Sequence, residues 1–341
     1  MIRRTAILSA LLAAVGTVAC AQQLLINAAG ATFPYPMYSK WFDEFHKKFP
    51  NVSINYQSIG SGGGIQQVTA ATVDFGASDG PMTDMQIKAF QDKRGAAILH
   101  FPTVMGAVVP TYNIPGVSGS INFTGEALAG IFLGKITKWN DPRIATANPG
   151  VKLPSSNIVV VHRAEGSGTT YIWADYLSKV SKEWEMKVGR ANSVTWPVGL
   201  AGKGNEGVSG SIQQTANSIG YVELIYAIQN KMTYGKVRNA AGEFIQANLA
   251  SVTAAAAGMK GMPEDFRVSI SNAPGKGVYP ISSFTWLLIP SKIADPAKKK
   301  AIKDFLAWML ADGQKMTPAL SYAPLPQVVL AKEVKAIDKI Q

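Results

Sequence analysis

Residues 158–171 read Ile-Val-Val-Val-His-Arg-Ala-Glu-Gly-Ser-Gly-Thr-Thr-Tyr. The β-branched run from Ile158 to Val161 suits a buried strand. Gly166-Ser167-Gly168 breaks it, and Ile172, Tyr176 and Leu177 then recur on one helical face. Strand, glycine turn and helix in that order turn free backbone N–H groups toward an anion. The turn also carries Arg163, Glu165, Ser167 and Thr169. This is half of an oxyanion shell, and the other half has to come from elsewhere in the chain.

It comes from residues 30–80. A strand over 24–28 runs into Gly30-Ala31-Thr32-Phe33-Pro34 and a helix with Met37, Trp41, Phe45 and Phe49 at every fourth position. Residues 52–57 alternate as a half-buried strand before Gly60-Ser61-Gly62-Gly63-Gly64, a turn that opens a helix over 65–71. A short strand over 73–78 ends at Asp79. Ligands in open α/β sheets bind just past such carboxyl ends. Downstream, helices are expected over 82–91, 125–136, 211–216, 223–229, 252–258 and 301–310, and strands over 219–222 and 279–290. Residues 199–210 read as a glycine-rich turn, 231–278 carry little pattern, and 97–111 are apolar and extended enough to pass between domains. Strands alternating with helices give an α/β class. Two separated groups of glycine turns, 30–80 and 163–169, suggest two lobes with a cleft between them.

The chain has 341 residues, 47% hydrophobic and 16% charged, ample for a large core. Residues 1–21 read as a secretory signal: Arg3-Arg4, an apolar stretch, then Ala19-Cys20-Ala21. Cleavage after Ala21 leaves no cysteine; the alternative makes Cys20 the lipidated first residue. Either way no disulfide braces the exported protein. The formal charge is +11; loss of Arg3 and Arg4 leaves 31 basic residues against 22 acidic, or +9. The basic residues are dispersed, and the one run of three, Lys298–Lys300, suits the solvated start of a helix. No nucleic-acid motif accompanies them, so small anions are the fitting partners.

An oxyanion loses a large hydration energy on burial, so its site must supply many donors. Arg163, Ser167, Gly168 and Thr169 offer guanidinium, hydroxyl and backbone N–H groups within seven residues. Thr32, the Phe33 backbone N–H and Ser61 complete the shell. Asp79 repels a bare anion but accepts a hydrogen bond from a protonated one. Ionised phosphate keeps such a proton and sulfate does not, so Asp79 selects against sulfate. Each of these features alone reads as ordinary structure: a turn, a helix cap, a surface ion pair. Their joint occurrence after strand ends carries the functional reading.

Enzyme signatures fail. No Gly-Lys-Ser/Thr of a P-loop occurs, and Glu165 stands where the serine-hydrolase elbow requires glycine. His46, His100 and His162 have no metal spacing, and His162 alternates away from Arg163.

Taken together, Gly30-Ala-Thr-Phe-Pro34, Gly60-Ser-Gly-Gly-Gly64, Val73-Asp-Phe-Gly-Ala-Ser-Asp79, Ile131-Phe-Leu-Gly-Lys-Ile136, Arg163-Ala-Glu-Gly-Ser-Gly-Thr169 and Gly202-Lys-Gly-Asn205 resemble the periplasmic phosphate-binding proteins of phosphate-specific ABC transporters, the PstS family. The resemblance spans about residues 24–330. It implies an α/β, two-lobed periplasmic-binding-protein fold (type II, Venus flytrap) with a mixed sheet in each domain and a two-segment hinge near Thr103 and Tyr279. The first domain would be discontinuous, 24–103 and 279–341, with 104–278 as the second. The resemblance implies phosphate contacts at Thr32, Phe33, Ser61 and Asp79 from the first domain and at Arg163, Ser167, Gly168 and Thr169 from the second. Glu165 is expected to stand behind Arg163. No catalytic residue, metal or cofactor is expected. The implied partners of this periplasmic monomer are inorganic phosphate and an inner-membrane ABC permease with its ATPase. Gly62 departs from a second Ser usual in the family, and Glu165 from Asp. Alternatives are a receptor for another tetrahedral oxyanion such as sulfate or molybdate, a lipid-anchored phosphate sensor, and a phosphate-ester hydrolase using Ser167 or Ser61.

Overall fold

The computed structural model describes residues 23–259 and 261–341. The expected signal segment and Cys20 lie outside the described residues.

The first lobe opens with β1 (Leu24–Gly30), α1 (Tyr35–Lys48), β2 (Val52–Ser58), α2 (Ser61–Ala70), β3 (Phe75–Ser78) and α3 (Asp84–Arg94). Strand β4 (Ile98–Asn113) then leaves it. The second lobe holds β5 (Asn122–Phe123), α4 (Gly125–Phe132), α5 (Pro142–Ala145), β6 (Val159–Arg163), α6 (Gly168–Val180), α7 (Lys182–Lys187), β7 (Leu200–Gly202), α8 (Gly204–Gln214), β8 (Ser218–Glu223) and α9 (Leu224–Gln229). The short strands β9 (Thr233–Tyr234), β10 (Lys236–Arg238) and β11 (Phe244–Ile245) and helix α10 (Leu249–Ala257) follow. The chain returns through β12 (Ser282–Pro290), α11 (Pro296–Ala311) and α12 (Gln327–Ala336). No helix among the described residues is long and apolar enough to cross a membrane.

The strand order β2-β1-β3-β12-β4-β8-β6-β7 makes two mixed sheets that meet on β4. Strands β1, β2 and β3 are parallel, and β12 is antiparallel to both β3 and β4. Beyond residue 107, β4 pairs antiparallel with β8, which is parallel to β6, itself parallel to β7. A single sixteen-residue strand therefore belongs to both sheets. Its pairing with β12 shifts register between Thr285 and Trp286, a bulge opposite residues 102–104.

Aromatic packing fixes the lobes. Met37, Trp41, Phe42 and Phe45 form the buried stripe of α1. Phe42 and Phe45 each lie 5.3 Å from Phe305 of α11. In the second lobe Trp173 of α6 stacks on Tyr221 of β8 at 5.1 Å. Trp196 stacks on His162 at 4.8 Å, and the imidazole Nδ1 lies 3.0 Å from the Arg163 carbonyl oxygen, so that imidazole is a packed ring.

Two helices start earlier than their sequence suggests. Helix α2 begins at Ser61 and absorbs three glycines, and α8 begins at Gly204, inside the stretch read as a turn. Gly60 stands before α2 at φ +88°, a left-handed conformation that glycine adopts without strain. Lys298 is less solvated than expected: its Nζ lies 2.9 Å from Asp74 Oδ1.

Candidate functional site

Each lobe ends strands and starts helices on the same side of the seam, and the two sets of ends meet. From the first lobe come Thr32 and Phe33 after β1, Ser61 at the first position of α2, and Asp79 after β3. From the second come Arg163 at the end of β6 and Ser167, the N-cap of α6, followed by Gly168 and Thr169. All eight are buried. The two glycine turns touch directly: Gly62 N–H donates to Gly166 O at 2.8 Å and Gly168 N–H to Ser61 Oγ at 3.0 Å. A Cβ on Gly168 would lie 2.5 Å from both Ser61 Oγ and Asp79 Oδ2, so this approach requires glycine.

Ser61 Oγ also accepts from Asp79 N–H at 3.2 Å. With both acceptor positions filled, its hydroxyl is left to donate. Ser167 Oγ accepts from Thr170 N–H at 3.1 Å, the side-chain cap that Ser167 owes its helix. Tyr221 holds this jaw from behind, its OH accepting from Arg163 N–H at 3.2 Å and lying 2.6 Å from Thr170 Oγ1.

Arg163 is the buried cation. Its Nη1 donates to Thr169 Oγ1 at 3.2 Å, and its Nε and Nη2 donate to Glu165 Oε1, the Nε bond being 3.1 Å. Glu165 also accepts from Gly204 N–H at 3.1 Å. It thus orients the guanidinium from the more exposed side, 21% against 1% for the Arg163 side chain. Its longer reach, compared with Asp, extends to the start of α8.

Asp79 is the counterweight. Its Oδ1 accepts from Thr285 Oγ1 at 2.8 Å, while its buried Oδ2 has no partner among the described residues. Burial pushes its carboxyl up to about 7, against the opposing pull of Thr285, Arg163 and Ser61. A carboxyl near neutrality beside several fixed donors suits a ligand that carries both negative charge and a proton.

The structure brings together all eight residues named from the sequence, with Glu165 behind Arg163. It adds four. Asn205 Nδ2 donates to Thr32 Oγ1 at 2.7 Å. Tyr226 OH donates to Thr32 O at 2.6 Å. Thr285 and Tyr221 complete the set. Gly202-Lys-Gly-Asn205 had been visible as a motif, but no spacing marked the asparagine as part of the site.

Among the described residues, no group of His, Cys, Asp and Glu is arranged to hold a metal ion. Among the described residues neither His100 nor His162 is paired with Ser61 or Ser167: His100 Nε2 accepts from Met82 N–H, and His162 lies against Trp196.

Residues 13–313 match the PBP superfamily domain. Over 313 residues the chain is 47% identical to the phosphate-binding protein PstS of Xylella fastidiosa (strain Temecula1), covering 91% of this chain and 84% of that one. The chain belongs to the PstS family. A second PstS relative, from Pasteurella multocida, is 44% identical over 326 residues, with 93% of each chain covered. Among solved structures, a putative phosphate ABC transporter substrate-binding protein from Clostridium perfringens with bound phosphate superposes at TM-score 0.65 and 18% identity, covering 89% of this chain and all of that one. The high affinity periplasmic phosphate-binding protein PfluDING superposes at TM-score 0.72 and 21% identity, covering 92% and 93%. These structural likenesses bear on the two-lobed fold.

Proposed function

We propose that the protein binds inorganic phosphate between its lobes and delivers it to an ABC permease with its ATPase in the membrane, performing no chemistry on it. The observation that carries this reading is Asp79: a buried carboxyl oxygen without a partner, set among hydroxyl and guanidinium donors. Hydrogen phosphate fills the donors with its oxygens and offers its proton to Oδ2. Fully ionised sulfate or molybdate would leave that acceptor unpaired and repelled. PstS membership supports the same ligand class.

The ligand is bound at Thr32, Phe33, Ser61 and Asp79 of one lobe and Arg163, Ser167, Gly168 and Thr169 of the other. We read 24–103 with 279–341 as the first lobe and 104–278 as the second; the paired β4 and β12 at the seam support a hinge there. Export to the periplasm through residues 1–21 and action as a monomer belong to the same proposal. Calorimetric titration of the exported protein with phosphate and then sulfate tests it. Tight one-to-one binding of phosphate and none of sulfate is expected; absent phosphate binding, or equal response to both, overturns it.

A further inference from the structure

We propose that Asn205 is a positioning residue that locks two hydroxyls of the site, one on each lobe, into the donor role; this rests on the phosphate reading above. Asn205 is fully buried near the start of α8. Its amide orientation is fixed by the network, because Oδ1 accepts from the backbone N–H of Glu223 at 2.9 Å, which an NH2 group there would not do. The NH2 group therefore faces the site. It donates to Thr32 Oγ1 at 2.7 Å and to Thr169 Oγ1 at 3.2 Å.

A hydroxyl has two acceptor positions and one proton. Thr169 Oγ1 already accepts from Arg163 Nη1 at 3.2 Å, so Asn205 fills its second position. Thr32 Oγ1 accepts from Asn205 twice, from Nδ2 and more weakly from its backbone N–H at 3.4 Å. Both hydroxyl protons are then free only for a further acceptor, which is what the oxygens of a bound anion are. Without Asn205, each hydroxyl is free to turn its proton onto a neighbour, and phosphate must reorder it on binding. Asn205 belongs to the second lobe and Thr32 to the first, so this orientation of Thr32 exists only when the lobes are together.

The test compares Asn205→Ala and the near-isosteric Asn205→Asp with the parent protein by phosphate titration at about pH 5 and about pH 8. Melting temperatures are recorded alongside. A carboxylate at position 205 keeps the bond from Glu223 N–H but accepts where Nδ2 donated, drawing both hydroxyl protons away from the ligand. Relative to the parent at each pH, Asn205→Asp is expected to weaken phosphate binding on the order of a hundredfold or more at the higher pH. It should recover toward Asn205→Ala at the lower pH, where the protonated acid donates again. Asn205→Ala should be weakened on the order of tenfold with a ratio independent of pH. A ratio near one for Asn205→Ala, or a pH-independent ratio for Asn205→Asp, overturns the proposal. If Asn205→Asp does not fold, the Asn205→Ala ratio decides alone. Failure of the parent protein to bind phosphate would instead overturn the function.

Discussion

The two jaws are built from similar parts and do different work. The second, Arg163 to Thr169, holds the buried guanidinium, already paired with Glu165 and held by Tyr221 through its backbone N–H. The first, Thr32, Ser61 and Asp79, has no cation of its own, and its one ionisable group is pushed toward neutrality by burial. On the proposed reading, attraction for an anion therefore resides in the second jaw, and discrimination among anions in the first. A single jaw holding both groups at contact would have tied Arg163 to Asp79 in an ion pair. Splitting them across the seam, with Glu165 as the local partner, leaves Asp79 Oδ2 open to a ligand proton.

The strongest way to break this contrast is Arg163→Met. It strips the cation and leaves Glu165 uncompensated, so phosphate affinity should fall by about 3–5 kcal/mol. Affinity retained at the parent's level in calorimetry would place the attraction elsewhere. Next comes Gly168→Ala, whose methyl would overlap Asp79 Oδ2 and Ser61 Oγ. The expected result is loss of about 2 kcal/mol of phosphate affinity or more, because closure at this spacing is blocked. Small-angle scattering should then show no compaction when phosphate is added.

Asp79→Asn sharpens the contrast rather than breaking it. Phosphate binding should weaken by about 1–3 kcal/mol while sulfate binding appears, since an amide has no charge to repel it. Selectivity unchanged in this variant would refute the role given to the first jaw. The same variant has a stability signature. The carboxyl of the folded protein titrates above its ordinary value, so its neutral form is favoured by folding and stability drains away as pH rises from about 4 through about 7. Without ligand, Asp79→Asn should therefore melt above the parent at pH values above about 7 and converge with it below about 4.

The smallest effect on binding is expected outside either jaw. Glu333 of α12 is fully buried, neither carboxyl oxygen has a partner among the described residues, and burial raises its pKa well above the usual range. Glu333→Gln should leave the phosphate titration unchanged while flattening the loss of thermal stability with rising pH. A changed affinity would mean that α12 communicates with the site.

Much of this was legible in the sequence because it is local. A glycine turn after a β-branched run places Arg163, Ser167 and Thr169 without knowledge of any other segment. The apolar stretch 97–111 likewise reads as one extended run, and β4 is that run. Helices α2 and α8 were harder because glycine disfavours helix; at Gly62 and Gly64 close approach to the backbones of Gly166 and Gly30 overrode that local preference. Strands β9, β10 and β11 span two or three residues each, too few for a period to register. Asn205, Tyr226 and Thr285 escaped because each meets its partner across more than 170 residues of chain, 173, 194 and 206 respectively. Asn205 lies in a visible glycine motif that does not give its role, and nothing in the neighbourhoods of Tyr226 and Thr285 distinguishes them.

The bulge in β12 gains a second meaning from Thr285. The register slips right after this residue, opposite residues 102–104 of β4, and the Thr285 hydroxyl is the one that reaches Asp79 Oδ1. The irregular joint of the strand pair and the carboxyl proposed to discriminate among anions are thus one hydrogen bond apart. Because Thr285 donates to Asp79 Oδ1, the arrival of a proton on Asp79 changes the acceptor that Thr285 faces. On the proposed phosphate reading, the register of the strand pair and the proton on the ligand-facing carboxyl meet at the same joint.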